Sequence, residues 1–293
     1  MTVRTYYTPE SMQEALELKA RHGFDLHVIA GGTLLMPQIN DGLFFPELVM
    51  GLRNAGMDKL TLNDAGLSGR GILGATSTMS QMRAQTTYPI LQEAAKGIGG
   101  WAVQNMATIG GNLFNQPPYG DFAVALLALG AQVKIQSASS ERVVDLNEFL
   151  TGGRQMAANE LVTEIHIPEQ VAAGFITQTI TGFKKFGPRA ASAATIVSVA
   201  AQIDLAEDVI ENSRIALGGA DTTARRSPAA EAVLNNASTQ DLASLAAAAA
   251  RAAADSSEPI SNATASAWYR RQMIEVQLKH LLGEMLESAV PAA

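Results

Sequence analysis

Two diglycine segments set far apart, Ala30-Gly31-Gly32-Thr33-Leu34 and Thr108-Ile109-Gly110-Gly111-Asn112, restrict the folds open to this chain. Each follows or interrupts an apolar stretch and sets adjacent glycines beside a small hydroxyl residue. Without a Cβ, backbone N–H groups can approach a ligand closely, and successive N–H groups form a concavity that binds anions. A fold that brings both segments to one place would hold a single diphosphate from two sides. Taken alone, the second segment also reads as a tight connector whose glycines serve only turns.

The surroundings of that second segment are polar. Residues 101–121 are rich in Asn, Gln, Gly and Pro yet lie between apolar helical stretches, a common setting for a ligand site. Thr108 offers a hydroxyl, Asn112 can donate and accept, and Asp121 can accept from ribose hydroxyls. A nicotinamide-type fingerprint would need Gly-x-Gly-x-x-Gly after a strand. Here Gly97-Ile98-Gly99-Gly100 follows a helical stretch, and Ala102 and Val103 stand where the third glycine is expected. The sequence has no Gly-x-x-x-x-Gly-Lys-Ser/Thr loop. His22, His27, His166 and His280 are scattered, with no i,i+4 metal pair and no Ser-His-Asp arrangement. No catalytic residue and no metal ligand is therefore assigned.

Composition narrows the class further. With 293 residues, 47% hydrophobic and 17% charged, the chain suits about two globular domains. A net charge of −7 argues against nucleic acid as a partner. Cysteine is absent, which excludes disulfides, thiolate zinc sites and cysteine-ligated iron–sulfur clusters within these residues. No apolar run is long enough for membrane insertion, since the alanine tract near Ala246 is broken by Arg251 and Asp255. The start lacks a basic segment followed by an apolar run. The expectation is a cytoplasmic protein.

Periodicity places the elements. Helices are expected over 9–22, with Ser11 and Glu14 as a capping box and Gly23 as the stop, over 89–97 and over 122–129. Strands are expected over 26–30, 72–75, 133–136 and 161–167, and Thr78 with Gln81 forms a second capping box. Beyond a boundary near Val171 come strands over 176–181, 194–205 and 213–217, then helices over 228–234, 239–254 and 264–287. Strands followed by helices predict a layered α+β domain in this second part. The alanine-rich tract is read as a helix because alanine is the best helix former.

With these surroundings, the two diglycine segments resemble the FAD-binding medium subunit of the molybdenum hydroxylases, the family of xanthine dehydrogenase and carbon monoxide dehydrogenase. That family clamps FAD between an Ala-Gly-Gly-x-x-Leu loop and a Thr-Ile-Gly-Gly-Asn loop, which stand here as Ala30 to Leu35 and Thr108 to Asn112. The resemblance extends to 121–131, to 182–189 with 196–201 (its flavin-side turn and strand), to 216–220 and to 266–273. It departs at Gln104 and Ala107, where many relatives carry Arg and Gly, and at 114–119, where small residues are usual.

The resemblance implies an α+β chain. A two-subdomain FAD-binding domain of the vanillyl-alcohol-oxidase/PCMH-like type would span 1–171, with subdomains of about 1–56 and 57–171. An antiparallel sheet with helices would follow over 172–293. It implies that Ala30, Gly31, Gly32, Thr33 and Leu34, with Thr108, Ile109, Gly110, Gly111 and Asn112, bind the pyrophosphate through backbone amides. Asp121 would hold the ribose side, and Leu161 and Lys184 or Lys185 would lie near the isoalloxazine. A solvated charge pair is the other reading of the two lysines. The FAD would be non-covalent, because neither loop contains His or Cys. The molybdenum cofactor and the iron–sulfur clusters would belong to a large and a small partner subunit of a heterotrimer. Electrons would leave to NAD, oxygen or a quinone. A stand-alone FAD-dependent oxidase or dehydrogenase acting on a small molecule is the alternative.

Overall fold

The computed structural model describes residues 3–62, 70–115, 120–169, 176–189 and 193–289. Its first sheet is parallel: β1 (Thr5–Tyr7), β2 (Leu26–Ile29) and β3 (Leu48–Gly51) lie in the order β1-β3-β2, with helices α1 (Met12–His22) and α2 (Leu35–Asn40) in the connections. The Ser11 hydroxyl accepts the Glu14 N–H at 3.2 Å. Glu14 returns its carboxylate to the Glu10 N–H at 2.9 Å, one residue before the cap that a full box would use. Gly23, at φ 58°, stops α1. Ala15, Leu16 and Leu18 of α1 pack on Leu26, Met50 and Leu52, so period 3.6 on the helix meets the buried face of the sheet.

The second unit holds β4 (Leu60–Leu62), β5 (Gly71–Gly74), α3 (Met79–Ala84), α4 (Pro89–Lys96), α5 (Trp101–Gln104), α6 (Ile109–Leu113), α7 (Asp121–Ala128), β6 (Gln132–Gln136), β7 (Glu141–Asp145), α8 (Leu146–Thr151) and β8 (Leu161–Ile167). Its five strands run antiparallel in the order β4-β5-β8-β6-β7. The Thr78–Gln81 capping box is formed in both directions. The second diglycine segment, expected as a loop, is the short helix α6, because Thr108 caps it and its apolar residues Ile109 and Leu113 enter the core. All eight residues of α7 are buried, as a helix apolar on every side requires.

The third unit holds β9 (Gln178–Phe186), β10 (Val197–Ala206), β11 (Val209–Gly218), β12 (Arg225–Arg226), α9 (Pro228–Leu234), α10 (Leu242–Asp255) and α11 (Ala267–Ala289), with an antiparallel sheet in the order β12-β11-β10-β9. The segment 182–186, expected as a turn, is strand. Residues 178–186 pair with β10 along their whole length, and that ladder overrides the weak strand propensity of Gly182 and the lysines. The strand β11 starts four residues earlier than its apolar pattern indicates. Glu207, at φ 53°, turns the chain there without a glycine signal.

The middle of this sheet is buried on both faces. Val199, Ala201 and Ile203 join the cluster made by α11, whereas Ala200 and Ala216 join the cluster that contains α7. Thus α7 packs on β10 and β11 from one side and α11 on β9 and β10 from the other. The boundary expected near Val171, and residues 116–119 of the divergent loop, lie outside the described residues.

Candidate functional site

A cleft of about 1090 Å³ lies where the three units meet, and both diglycine segments line it. The first packs on the chain just before the second: a Cβ on Gly31 would collide with the carbonyl of Met106, so glycine is required there for this close approach. Gly32, at φ 69°, turns the chain into α2, where its carbonyl accepts the Met36 N–H at 2.9 Å. The N–H groups of Gly31, Gly32, Thr33 and Leu34 have no backbone acceptor among the described residues. Their residues line the cleft, and such a run of unspent amides suits an anion.

The second segment is built differently. The Ile109 N–H donates to the Ser77 carbonyl at 2.9 Å and the Gly110 N–H to the Ala75 carbonyl at 2.8 Å. The Gly111 N–H donates to Thr108 Oγ1 at 3.1 Å and the Asn112 N–H to the Thr108 carbonyl at 3.0 Å. These four amides are spent on the fold, which corrects the expectation that they grip a ligand as free donors. What this segment offers the cleft is the Thr108 hydroxyl, the Asn112 side chain and the Cβ-free surface of Gly110 and Gly111. The Asn112 side-chain oxygen accepts the Ala123 N–H at 3.3 Å and so fixes the start of α7. Ile109 is fully buried in the core and does not line the cleft.

Strand alternation separates the two lysines. On β9 successive side chains point to opposite faces. Lys185 turns into the cleft, where its ammonium lies 2.8 Å from Asp121 Oδ2 and donates to the Gly97 carbonyl at 2.8 Å. Lys184 turns away and meets Glu284 of α11 at 2.5 Å. The Thr195 hydroxyl also donates to Asp121 Oδ2, at 2.7 Å, so the buried carboxylate at the start of α7 is held by two donors from the third unit. Leu161, at the start of β8, lines the cleft from the apolar side.

Several lining residues carried no signal in the sequence. Arg154, in the left-handed region at φ 57°, donates to the Leu113 carbonyl at 2.6 Å and to the Thr223 hydroxyl at 3.2 Å. Burial pushes its guanidinium pKa down. Glu160 accepts from Arg142 Nε and Nη2, each at 3.0 Å, and that pairing holds its carboxyl below the usual range. Lys19 donates to the carbonyls of Gly23 and Leu26, and burial lowers its pKa. Gln104, one of the departures, is buried behind the wall. It accepts from Arg83 at 3.1 Å and donates to the Lys96 carbonyl at 3.3 Å, while Arg83 stacks 3.7 Å above the Trp101 ring. Thr76, in the turn after β5, lines the cleft, and its buried hydroxyl has no partner among the described residues.

Volume, donor row and buried polar wall fit a flavin dinucleotide. The cleft exceeds what a drug-sized ligand occupies, roughly 300–1,000 Å³. Its lining combines anion donors, a lysine and aliphatic side chains, which suits a diphosphate joined to an aromatic ring. Such a fold and cleft define a dinucleotide-binding flavoprotein. Residues 1–170 match the FAD binding domain in molybdopterin dehydrogenase, and residues 183–285 match the CO dehydrogenase flavoprotein C-terminal domain. The chain is 32% identical to the 6-hydroxypseudooxynicotine dehydrogenase complex subunit alpha of Paenarthrobacter nicotinovorans, over 98% of this chain and 95% of that one. It is 31% identical to the glyceraldehyde dehydrogenase medium chain of Sulfolobus acidocaldarius, over 93% and 94%. The fold superimposes with a TM-score of 0.84 on a carbon monoxide dehydrogenase structure from Hydrogenophaga pseudoflava that lacks the Mo-pyranopterin moiety, at 26% identity over 96% of both chains. The chain belongs to the family of FAD-binding medium subunits of the molybdenum hydroxylases, and it is an oxidoreductase subunit. Among the described residues no helix is long and apolar enough to cross a membrane.

Proposed function

We propose that this chain is the electron-transfer subunit of a heterotrimer, with a large molybdenum-binding subunit and a small iron–sulfur subunit as partners. The observation that carries the reading is the nearly coextensive match to chains named as medium or complex subunits, in a sequence with no cysteine to ligate an iron–sulfur cluster. Bound FAD supplies the redox chemistry, exchanging electrons with clusters on the small subunit and with an external acceptor such as NAD, oxygen or a quinone. The chain itself supplies binding, orientation and electrostatics.

Each part of the cleft then has a task. The amides of Gly31, Gly32, Thr33 and Leu34 hold the diphosphate, with Ala30 delivering them from β2. The Thr108 hydroxyl and Asn112 close the site from the second segment, whose diglycine surface admits the ligand. Asp121 holds the ribose side. Lys185 and Leu161 flank the flavin ring. Lys184 and Ile109 act on the fold rather than on the ligand. The flavin is held without a covalent bond, since neither segment offers a His or Cys to attach it.

The test is affinity purification of the tagged full-length chain from its native host, with a visible spectrum and metal analysis. The expected result is a flavin spectrum and co-elution of a molybdenum-containing large chain and an iron-containing small one. A flavin-loaded chain that elutes alone and oxidises a small substrate would support the stand-alone oxidase instead.

A further inference from the structure

Four buried hydroxyl oxygens have no hydrogen-bond partner among the described residues: those of Thr76, Ser77, Ser198 and Ser227. Of these, Thr76 alone lines the cleft. Its residue is 5% exposed, and the turn that carries it is fixed on every side. The Ala75 N–H donates to the Thr163 carbonyl at 2.9 Å, the Thr76 N–H to the Met57 carbonyl at 2.9 Å and the Ser77 N–H to the Gly74 carbonyl at 3.0 Å. The carbonyls of Ala75 and Ser77 in turn receive the N–H groups of Gly110 and Ile109. The turn is thereby riveted to all three neighbouring segments and cannot shift to satisfy its own side chain.

A buried hydroxyl without a partner destabilises the fold. Among the groups lining the cleft, the first-loop amides, the Thr108 hydroxyl and Lys185 are donors, while the Asp121 and Glu160 carboxylates are already held by Lys185 with Thr195 and by Arg142, so the donors fit an acceptor-rich ligand. We infer that the Thr76 hydroxyl donates a hydrogen bond to an oxygen or ring nitrogen of the bound dinucleotide. Thr76 is thus a ligand-binding residue beyond the two diglycine segments. This rests on the FAD reading of the cleft. A threonine here fits the ligand at the expense of the empty fold, which gives the idea a signature of two opposite signs.

The experiment is a fluorescence titration of FAD into the full-length chain freed of flavin, comparing wild type with Thr76→Val and Thr76→Ser. Thr76→Val keeps the shape and removes the donor. It is expected to weaken FAD binding about tenfold, the worth of one hydrogen bond, and to leave the thermal midpoint of the flavin-free chain unchanged or raised. Thr76→Ser keeps the donor and is expected to bind as wild type. Equal affinity in wild type and Thr76→Val overturns the assignment while leaving the FAD reading intact. A wild-type chain that takes up no FAD overturns both. Should Thr76→Val lose its native circular dichroism, Thr76→Ala in the same titration decides the question by the same criterion.

Discussion

Lys185 of β9 and Asp121 at the first position of α7 lie 2.8 Å apart, with side chains 14% and 6% exposed. Through this pair the C-terminal sheet reaches into the cleft, and Thr195 and the Gly97 carbonyl complete the hydrogen bonding on either side. Removing one partner leaves the other buried and unpaired. Lys185→Met is therefore expected to cost about 3 kcal/mol. Asp121→Asn combined with Lys185→Met should recover part of that loss. Urea unfolding of the two single variants and the double variant gives the coupling directly. Strict additivity would show that the pair is not a unit.

Gly31 is a contact residue more than a flexible one. Gly31→Ala drives a Cβ into the Met106 carbonyl, a backbone atom that cannot rotate away, and should push the first loop off the backbone that leads into the second. The same reasoning applies to Gly110→Val, where the Ala75 carbonyl lies 2.9 Å from the position of a Cβ, and to Gly32→Val, where φ is 69°. All three chains are expected to purify without a flavin spectrum. Gly283→Ala in α11, with nothing within 4 Å of its Cβ position, is the control and should gain up to about 1 kcal/mol.

Thr108 caps α6 by accepting the Gly111 N–H. Thr108→Val removes that cap and should lower stability by about 1 kcal/mol, read as a fall in thermal midpoint, whereas Thr108→Ser should hold the wild-type value. If the valine and serine variants melt together, the hydroxyl has no capping role.

The Arg142–Glu160 pair predicts an acid limb in the stability profile. The hydrogen bonds from Arg142 hold the Glu160 carboxyl below its ordinary value of 4.5 in the folded chain. As pH falls, the unfolded chain takes up the proton first. The stabilisation is thus present above that value and lost as pH drops through the folded pKa. Arg142 is 43% exposed, so the effect is expected near 0.5 kcal/mol. Between about pH 7 and about pH 3, wild type should lose more stability than Glu160→Gln in urea titrations; parallel losses would exclude this source.

Much of the lining of the cleft was legible in the sequence. The diglycine pairs, the hydroxyl beside each, Asp121 and Leu161 stand close in sequence to strong element signals, and they line one cleft. Arg154, Glu160 and Thr76 could not be read in this way. Nothing local marks an arginine as adopting left-handed backbone to reach Leu113, or a threonine as the cleft-lining residue whose buried hydroxyl has no partner among the described residues.

The chain's own residues determined the α+β order of elements, the two diglycine segments and the lack of any thiolate, because propensity, capping and side-chain inventory are local properties. Tertiary structure decided how those segments are used. Both contain paired glycines, yet the amides of α6 are consumed by Ser77, Ala75 and Thr108, while those of Gly31 to Leu34 have no backbone acceptor among the described residues. It also decided between Lys184 and Lys185, which differ by a single residue. Pairing of β9 with β10 made that stretch a strand, and the two-residue period of a strand sent one lysine to Glu284 and the other to Asp121.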